Sequence, residues 1–229
     1  MKVKSKGYGK VAMPPHNLVF TLLGAALLWF GWFGFNAGSA LSSGALAANA
    51  LVVTHISAAS GLFSWVMMEW FLLKKPSALG AASGLVAGLV AITPGAGFVS
   101  APSSMFIGLM GGVVCFYGVR LKGKFGFDDS LDAFGVHGLG GIFGALATGI
   151  FATTVVNSAG RNGLINDFTS GVDLLFEQVF AVGFTIVYAG IGTLIIVKVL
   201  DAIMGLRVSE EIELTGLDSS LHGEQAYQN

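Results

Sequence analysis

Six long apolar stretches, separated by short polar segments, dominate the pattern of the chain. They cover residues 18 to 40, 45 to 73, 78 to 94, 102 to 121, 131 to 154 and 173 to 204. A helix needs about 20 predominantly apolar residues to cross the hydrocarbon of a bilayer, and every stretch reaches or approaches that length. The pattern therefore predicts an all-α integral membrane protein with six transmembrane helices.

The two ends of the chain need separate interpretation. A lysine-rich opening before an apolar run resembles a secretory signal, but this run continues from Leu18 to Ala40. That is longer than the roughly 7 to 15 residues of a signal core, so we expect a transmembrane helix. Residues 205 to 229 are polar and rich in glutamate. We therefore predict a transmembrane domain over residues 1 to 204 and a solvated tail over residues 205 to 229.

The positions of the lysines and arginines predict the orientation, because basic residues are enriched in cytoplasmic loops of membrane proteins. With six crossings and a cytoplasmic N-terminus, all of the 12 basic residues except Arg161 fall in cytoplasmic segments. Adding or omitting one span would destroy this sorting. We therefore expect a multi-pass protein of the plasma (inner) membrane with both termini in the cytoplasm.

The composition narrows the class of function. Hydrophobic residues make up 54% of the chain and charged residues 11%, whereas soluble domains carry roughly 25% charged residues. The net charge of -1 gives no basic surface for nucleic acid. The four histidines and the single cysteine are scattered over different spans and loops, which matches no metal-ligand spacing. We expect no enzyme activity, no metal and no cofactor.

Small residues recur at helical spacing in two of the spans. Gly80, Gly84 and Gly88 are four residues apart, and a denser glycine cluster lies between residues 135 and 144. Within lipid, helices associate by close backbone approach, which small residues allow. We therefore predict tightly packed helices.

His137 is the residue in the spans that most strongly suggests function. An ionisable side chain inside a span is costly and usually faces a cavity or the bundle interior. The alternative is a neutral imidazole that bonds to a neighbouring helix, and we favour function. His55, beside Thr54 and Ser57, is interpreted as packing between helices, and His16 and His222 as surface residues.

Asp128, Asp129 and Asp132 crowd the start of the fifth span. Carboxylates in the first turn of a helix interact favourably with its dipole, so we favour a role in starting and capping this helix. The alternative is that they concentrate cations at an inner mouth.

Trp32 and Phe35 lie on one helical face, and Ser39 follows one turn later. Aromatic residues at the membrane interface are common. Two rings beside a hydroxyl also hold small cations, through the ring quadrupoles and one hydrogen bond. The residues alone leave both alternatives open.

Three separated motifs resemble those of one family. They are GWFGFNAGSA at residues 31 to 40, DDSLDAFGVHGLGGIFG at residues 128 to 144 and GLRVSEEIELTGLDSSLHGEQAY at residues 205 to 227. Together they resemble the ammonium transporter family (Amt/Mep/Rh), and its bacterial members most. The resemblance runs through the whole chain.

The resemblance implies an eleven-helix channel, made of two inverted five-helix halves plus a last long helix, that assembles as a homotrimer with a pore through each subunit. The six spans match the second half and the final helix, and the first five helices are missing. The chain is then a fragment of a longer product, or begins at Met1 and finds its other half elsewhere. Pairing with a second copy is less favoured, because the missing surfaces differ in sequence.

The resemblance also implies roles for individual residues. Phe35 matches the outer pore phenylalanine and Ser39 the hydroxyl of the outer ammonium site. Trp32 and Leu28 match the apolar pore wall, and His137 matches one of two histidines that touch within the pore. The partner histidine, the second phenylalanine and the outer tryptophan belong to the missing half.

Asp129 and Asp132 match the acidic pattern at the inner mouth, which we interpret as structural. The resemblance implies transport of ammonium or ammonia, with methylammonium as an analogue, by deprotonation of ammonium at an apolar pore in the lipid bilayer. The alternatives are an ammonium sensor or regulatory subunit, and a truncated chain that is inactive alone. The tail resembles a cytoplasmic docking site for a PII-type nitrogen regulator.

Overall fold

The structure, a computed structural model, describes residues 13–126 and 128–225, and the elements in this part of the chain are all helical. The six long helices are α1 (Leu18–Gly38), α2 (Ala45–Leu73), α3 (Ala78–Ile92), α4 (Ala101–Phe125), α5 (Leu139–Phe151) and α6 (Phe168–Met204). A 3₁₀ turn at Thr93–Gly95 continues α3, and a π-helical turn at Phe134–Gly138 precedes α5. The short α7 (Glu210–Thr215) and a π turn at Asp218–His222 follow.

Within the described part of the chain, six helical segments are long and apolar enough to cross a membrane, with the turns counted into the third and fifth. The predicted all-α membrane fold with six transmembrane helices is therefore confirmed. The four lysines Lys2, Lys4, Lys6 and Lys10, which contribute to the predicted orientation, lie outside the described residues.

Polar side chains fix where three of the helices begin. Asn17 accepts a hydrogen bond from the backbone N–H of Phe20 and caps α1, and Ser77 caps α3 in the same way. Asp167 caps α6, which begins at Phe168 rather than at the predicted residue 173. The predicted start lay too far along the chain, because the search for apolar residues left out the first turn of the helix, which the Asp167 cap stabilises.

Other boundaries also differ from the predicted ones, and two of them have a clear physical cause. Helix α4 continues to Phe125 instead of ending at residue 121, with Lys122 and Lys124 in its last turn, where cations interact favourably with the helix dipole. Gly126 then ends the helix with a left-handed φ of 68°. The fifth span begins near residue 134 rather than at residue 131, because Asp132 lies in the preceding connection and not on the helix.

Helix α3 forms the centre of the bundle. It packs against α1, α2, α4 and α5, and 61% of its apolar window is buried. A Cβ atom added at Gly61 of α2 would lie 2.6 Å from the carbonyl oxygen of Gly84 and 2.8 Å from the Cα atom of Gly88. The hydroxyl of Ser57 donates to the Gly88 carbonyl oxygen at 2.8 Å. The glycines therefore bring the α2 and α3 backbones into direct contact, as predicted.

One carboxylate is buried where α2 turns into α3. Glu69 is only 8% exposed. Its oxygens accept hydrogen bonds from the backbone N–H of Ser77 at 2.6 Å, the Ser77 hydroxyl at 3.1 Å and the indole N–H of Trp65 at 3.4 Å. A charge in this position is stabilised by three donors and by the N-terminus of α3, so Glu69 joins the two helices.

Helices α1 and α6 lie at the edge of the bundle. None of the α6 window and 6% of the α1 window is buried, although both are strongly apolar. Helix α6 packs against α5, and α1 packs against α2 and α3. Both helices therefore present broad apolar faces outside the described bundle.

We predict that Gly61→Ala destabilises the bundle by about 1 to 3 kcal/mol, because the new methyl group has to push two backbones apart. Denaturation of the purified protein in mixed micelles of increasing SDS content measures this loss. The matched control is Gly123→Ala in α4, where a Cβ atom meets nothing within 4 Å. Equal stability of the two variants would contradict the proposed backbone contact.

Candidate functional site

A long open groove runs between α1, α3 and the fifth span. One part, of about 680 Å³, is lined by Gly24, Leu27, Leu28, Gly31, Trp32, Phe35, Val90, Thr93, Pro94, His137 and Gly141. A second part, of about 760 Å³, is lined by residues 13–16 and Asp132, among others. Both parts are bordered by Gly24, Leu28 and His137. We call this feature the groove, and its two ends the Phe35 end and the Asp132 end.

Two aromatic rings form the wall at the Phe35 end. The rings of Trp32 and Phe35 meet edge to face, with 5.8 Å between centroids. The indole N–H of Trp32 donates to the Thr93 hydroxyl oxygen at 2.8 Å, and that hydroxyl donates to the Leu89 carbonyl oxygen at 2.7 Å. Thr93, at the end of α3, therefore holds the Trp32 ring in place, whereas the Phe35 side chain remains 63% exposed.

Ser39 lies one turn beyond Phe35, at the end of α1, and does not line the groove. Its hydroxyl donates to the Phe35 carbonyl oxygen at 2.8 Å. With its proton committed in this way, the hydroxyl oxygen keeps lone pairs that can accept a hydrogen bond.

His137 lies on the π turn and borders both parts of the groove. The backbone just before it is anchored: Gly135 and Val136 are buried, and a Cβ atom at Gly135 would lie 2.7 Å from the Val119 nitrogen. The thiol of Cys115 donates to the Val136 carbonyl oxygen at 3.5 Å. The imidazole itself is exposed and makes no hydrogen bond to the described residues. It is the one ionisable group among the described residues that line the part of the groove at the Phe35 end.

The acidic residues near the Asp132 end do not act alike. The two carboxylate oxygens of Asp129 accept from the backbone N–H groups of Ala133 and Phe134, each at 2.9 Å, so Asp129 caps the fifth span as expected from its position. Asp132 borders the groove and forms an ion pair with Lys122 of α4. Capping by all three acids was the expectation, and Asp132 departs from it because a cation lies within reach.

The other histidines lie in three different environments. The His55 ring stacks on Trp29 of α1, with 5.1 Å between centroids and 16° between planes, and does not line the groove. Packing between helices was the expectation for His55, but through neighbouring hydroxyl groups rather than through an indole ring. His16 is exposed and also borders the groove at the Asp132 end, which its interpretation as a plain surface residue missed. His222 is exposed in the last π turn.

Sequence reasoning missed Thr93 and Lys122. The only signal for Thr93 was a hydroxyl next to Pro94 at the end of an apolar span. Lys122 resembled any basic residue at a helix end. Among residues 13–126 and 128–225, no three His, Cys, Asp or Glu side chains come together in a way that would hold a metal ion.

We predict that Thr93→Val lowers the stability of the protein by about 1 to 3 kcal/mol, because it leaves the Trp32 indole N–H without its acceptor. Thr93→Ser keeps the hydroxyl and is the matched control, with a smaller loss. The same SDS denaturation series measures both. A Val variant as stable as the Ser variant would show that the hydrogen bond does not fix Trp32.

The comparisons with known proteins agree with one another. The model of the Ammonium Transporter Family matches residues 2–227. The chain is 53% identical to the ammonium transporter of Bacillus subtilis over 95% of this chain and 54% of that protein. It is 47% identical to the ammonium transporter Amt1 of Archaeoglobus fulgidus over 98% of this chain and 56% of that protein.

Solved structures give the same result. The crystal structure of Saccharomyces cerevisiae Mep2 aligns with a TM-score of 0.80 and 34% identity, covering 89% of this chain and 46% of that chain. A structure of a sensor Amt protein aligns with a TM-score of 0.80 and 31% identity, covering 90% of this chain and 49% of that one. The chain thus spans about half the length of the relatives it matches, and over that length it belongs to the ammonium transporter family.

Proposed function

We propose that this chain forms one side of a pore that carries ammonium across the membrane as ammonia, with the proton handled separately. The observation that carries the proposal is the position of His137, the one ionisable group among the described residues that line the groove at the Phe35 end. The relatives are named ammonium transporters, which supports the choice of solute.

The apolar lining decides in which form the solute passes. Ammonium is small and strongly hydrated, and the side chains between Phe35 and His137 replace little of that hydration. Carrying the intact ion into such surroundings costs several kcal/mol after relaxation. Separating the proton from ammonia avoids that cost, so the neutral molecule passes the walls of Leu28 and Trp32.

The Phe35 end of the groove and the region around His137 have different roles. At the Phe35 end, the ring faces of Trp32 and Phe35 and the acceptor oxygen of Ser39 attract the cation before it loses its proton. Farther along, His137 is the polar waypoint. An imidazole accepts and donates protons near neutral pH and need not hold a permanent charge there.

The groove is open along one side, so a pore requires a second wall. We propose that this wall comes from the remaining half of a transporter of the relatives' length. The complete protein would assemble as a homotrimer in the plasma membrane, with both ends of this chain in the cytoplasm. The chain alone is then expected to be inactive.

The complete pore is best rebuilt by co-expressing this chain with the first half of the Bacillus subtilis relative in cells that lack ammonium uptake. Uptake of labelled methylammonium is measured for the pair and for each half alone. Uptake by the pair only would support transport by a shared pore. Binding of methylammonium without uptake would instead favour a sensor.

We predict that His137→Ala in this pair lowers methylammonium uptake by about 10- to 100-fold or changes its coupling to charge, since a lost polar contact at the barrier is worth about 1 to 3 kcal/mol. Uptake and membrane current are recorded on the same vesicles. The matched control is His55→Ala, which removes a histidine outside the groove. Currents and selectivity equal to those of the unsubstituted pair would refute the role of His137.

The polar tail offers a second proposal, the docking of a PII-type regulator. Its helix α7 begins at Ser209, which accepts from the Ile212 N–H, and Arg207 holds Glu213 through two contacts of 2.8 Å. This gives the residues after α6 a defined shape that a partner can recognise.

We predict that deletion of residues 206–229 abolishes capture of a PII-type regulator by the complete transporter, because the tail supplies the main contact surface. A pull-down from detergent extract measures capture, and the transporter with an intact tail is the control. Capture that survives the deletion would rule out the tail as the docking site.

A further inference from the structure

The π turn that carries His137 is held at its start by a small set of polar contacts. Lys122, in the last turn of α4, donates to the Asp132 carboxylate and, at 2.6 Å, to the Asp129 carbonyl oxygen. The Asp129 carboxylate in turn accepts from the N–H groups of Ala133 and Phe134. We call Lys122, Asp129 and Asp132 the latch.

The latch lies where the backbone adopts an uncommon conformation. Asp132 has a φ of 59°, in the left-handed region, where a residue with a Cβ atom is strained. The chain then enters the π turn almost directly, at Phe134. Isolated π turns are rare, and tertiary contacts have to stabilise them.

The far side of the π turn is fixed independently. A Cβ atom at Gly140 would lie 2.9 Å from the Cys115 sulfur, and one at Gly144 would overlap the Ala91 carbonyl oxygen. Helix α5 therefore cannot rotate freely against α3 and α4. The π turn accommodates one extra residue between this fixed helix and the latch.

We propose that Lys122 is a positioning residue for His137. It keeps the imidazole directed into the groove, because it holds the π turn in its register. The inference rests on the proposed function for its effect on transport. Without the latch, the turn is free to rewind into α geometry. A shift of one residue rotates a side chain by about 100° around the helix axis, which takes the imidazole away from the groove.

The burial of the ion pair supports this role. The side chains of Lys122 and Asp132 are 21% and 35% exposed, so water screens the pair only in part. The neighbouring Lys124, on the same helix end, is exposed and has no such contact among the described residues. The specific contact therefore distinguishes Lys122 from a basic residue that only sets membrane orientation.

Lys122→Met in the co-expressed pair tests the proposal, with Lys124→Met as the matched control. Hydrogen–deuterium exchange of the backbone amides of residues 133–139, read by mass spectrometry, reports on the π turn without any transport. We expect exchange there to rise about tenfold in the Lys122 variant, as for loss of one charge-assisted hydrogen bond, and to stay unchanged in the control.

Transport gives the second measurement. We expect Lys122→Met to lower the maximal uptake rate by about tenfold and leave the KM for methylammonium near its original value, because the Phe35 end is intact. Lys122→Arg keeps a donor for the Asp132 carboxylate and should restore most of the rate. Asp132→Asn removes the negative charge but leaves the contact of Lys122 with the Asp129 carbonyl oxygen, so it should lower the rate less than Lys122→Met, and the double variant should add little to Lys122→Met.

Each outcome decides the question. Unchanged exchange, or an equal rise in the Lys124 control, would overturn the proposal, and so would increased exchange with unchanged uptake. If Lys122→Met does not fold, Asp132→Asn takes its place as the variant that weakens the ion pair, with Lys122→Arg as the variant that keeps it. If the unsubstituted pair shows no uptake, the proposed function fails, and the exchange data alone decide whether the latch holds the π turn.

Discussion

Hydrocarbon offers no hydrogen bonds, and this single constraint determines most of the structure. A polar group left unpaired in that medium costs several kcal/mol. The described chain is accordingly helical, and Thr54, Thr93 and Thr148 each donate their hydroxyl proton to the carbonyl oxygen four residues earlier. The carboxylate of Glu69 is buried only because three donors surround it. Glycines then let the helix backbones approach, since hydrophobic burial contributes little between helices in lipid.

The same constraint explains why the sequence predicted the spans well and their ends less well. An apolar stretch long enough to cross the bilayer has to be helical, and the predicted residues 45 to 73 coincide with α2. Helix ends depend on side-chain caps and local backbone geometry, which hydropathy does not measure. The Asp167 cap extends α6 at its start, and the left-handed Gly126 fixes the end of α4.

For the groove, the sequence pointed to several of the lining residues but not to Thr93, and not to the contacts between them. Trp32, Phe35 and His137 belong to recognisable motifs, and the structure places all three on one groove. Thr93 lies 61 residues from Trp32 along the chain, so no local pattern connects the two. The π turn and the pairing of Lys122 with Asp132 depend on how α4 meets the fifth span. Such contacts become visible only when the helices are packed.

The openness of the groove has consequences under the same constraint. Acyl chains would fill an apolar groove that faces lipid, because nothing in its lining between Phe35 and His137 competes for them. An imidazole without a hydrogen-bond partner in those surroundings is costly, and His137 has none among the described residues. The wall that closes the groove must therefore do two things. It has to exclude lipid with an apolar surface, and it has to bring a polar group to His137. A second wall that was apolar throughout would close the groove and still leave the imidazole of His137 without a hydrogen-bond partner.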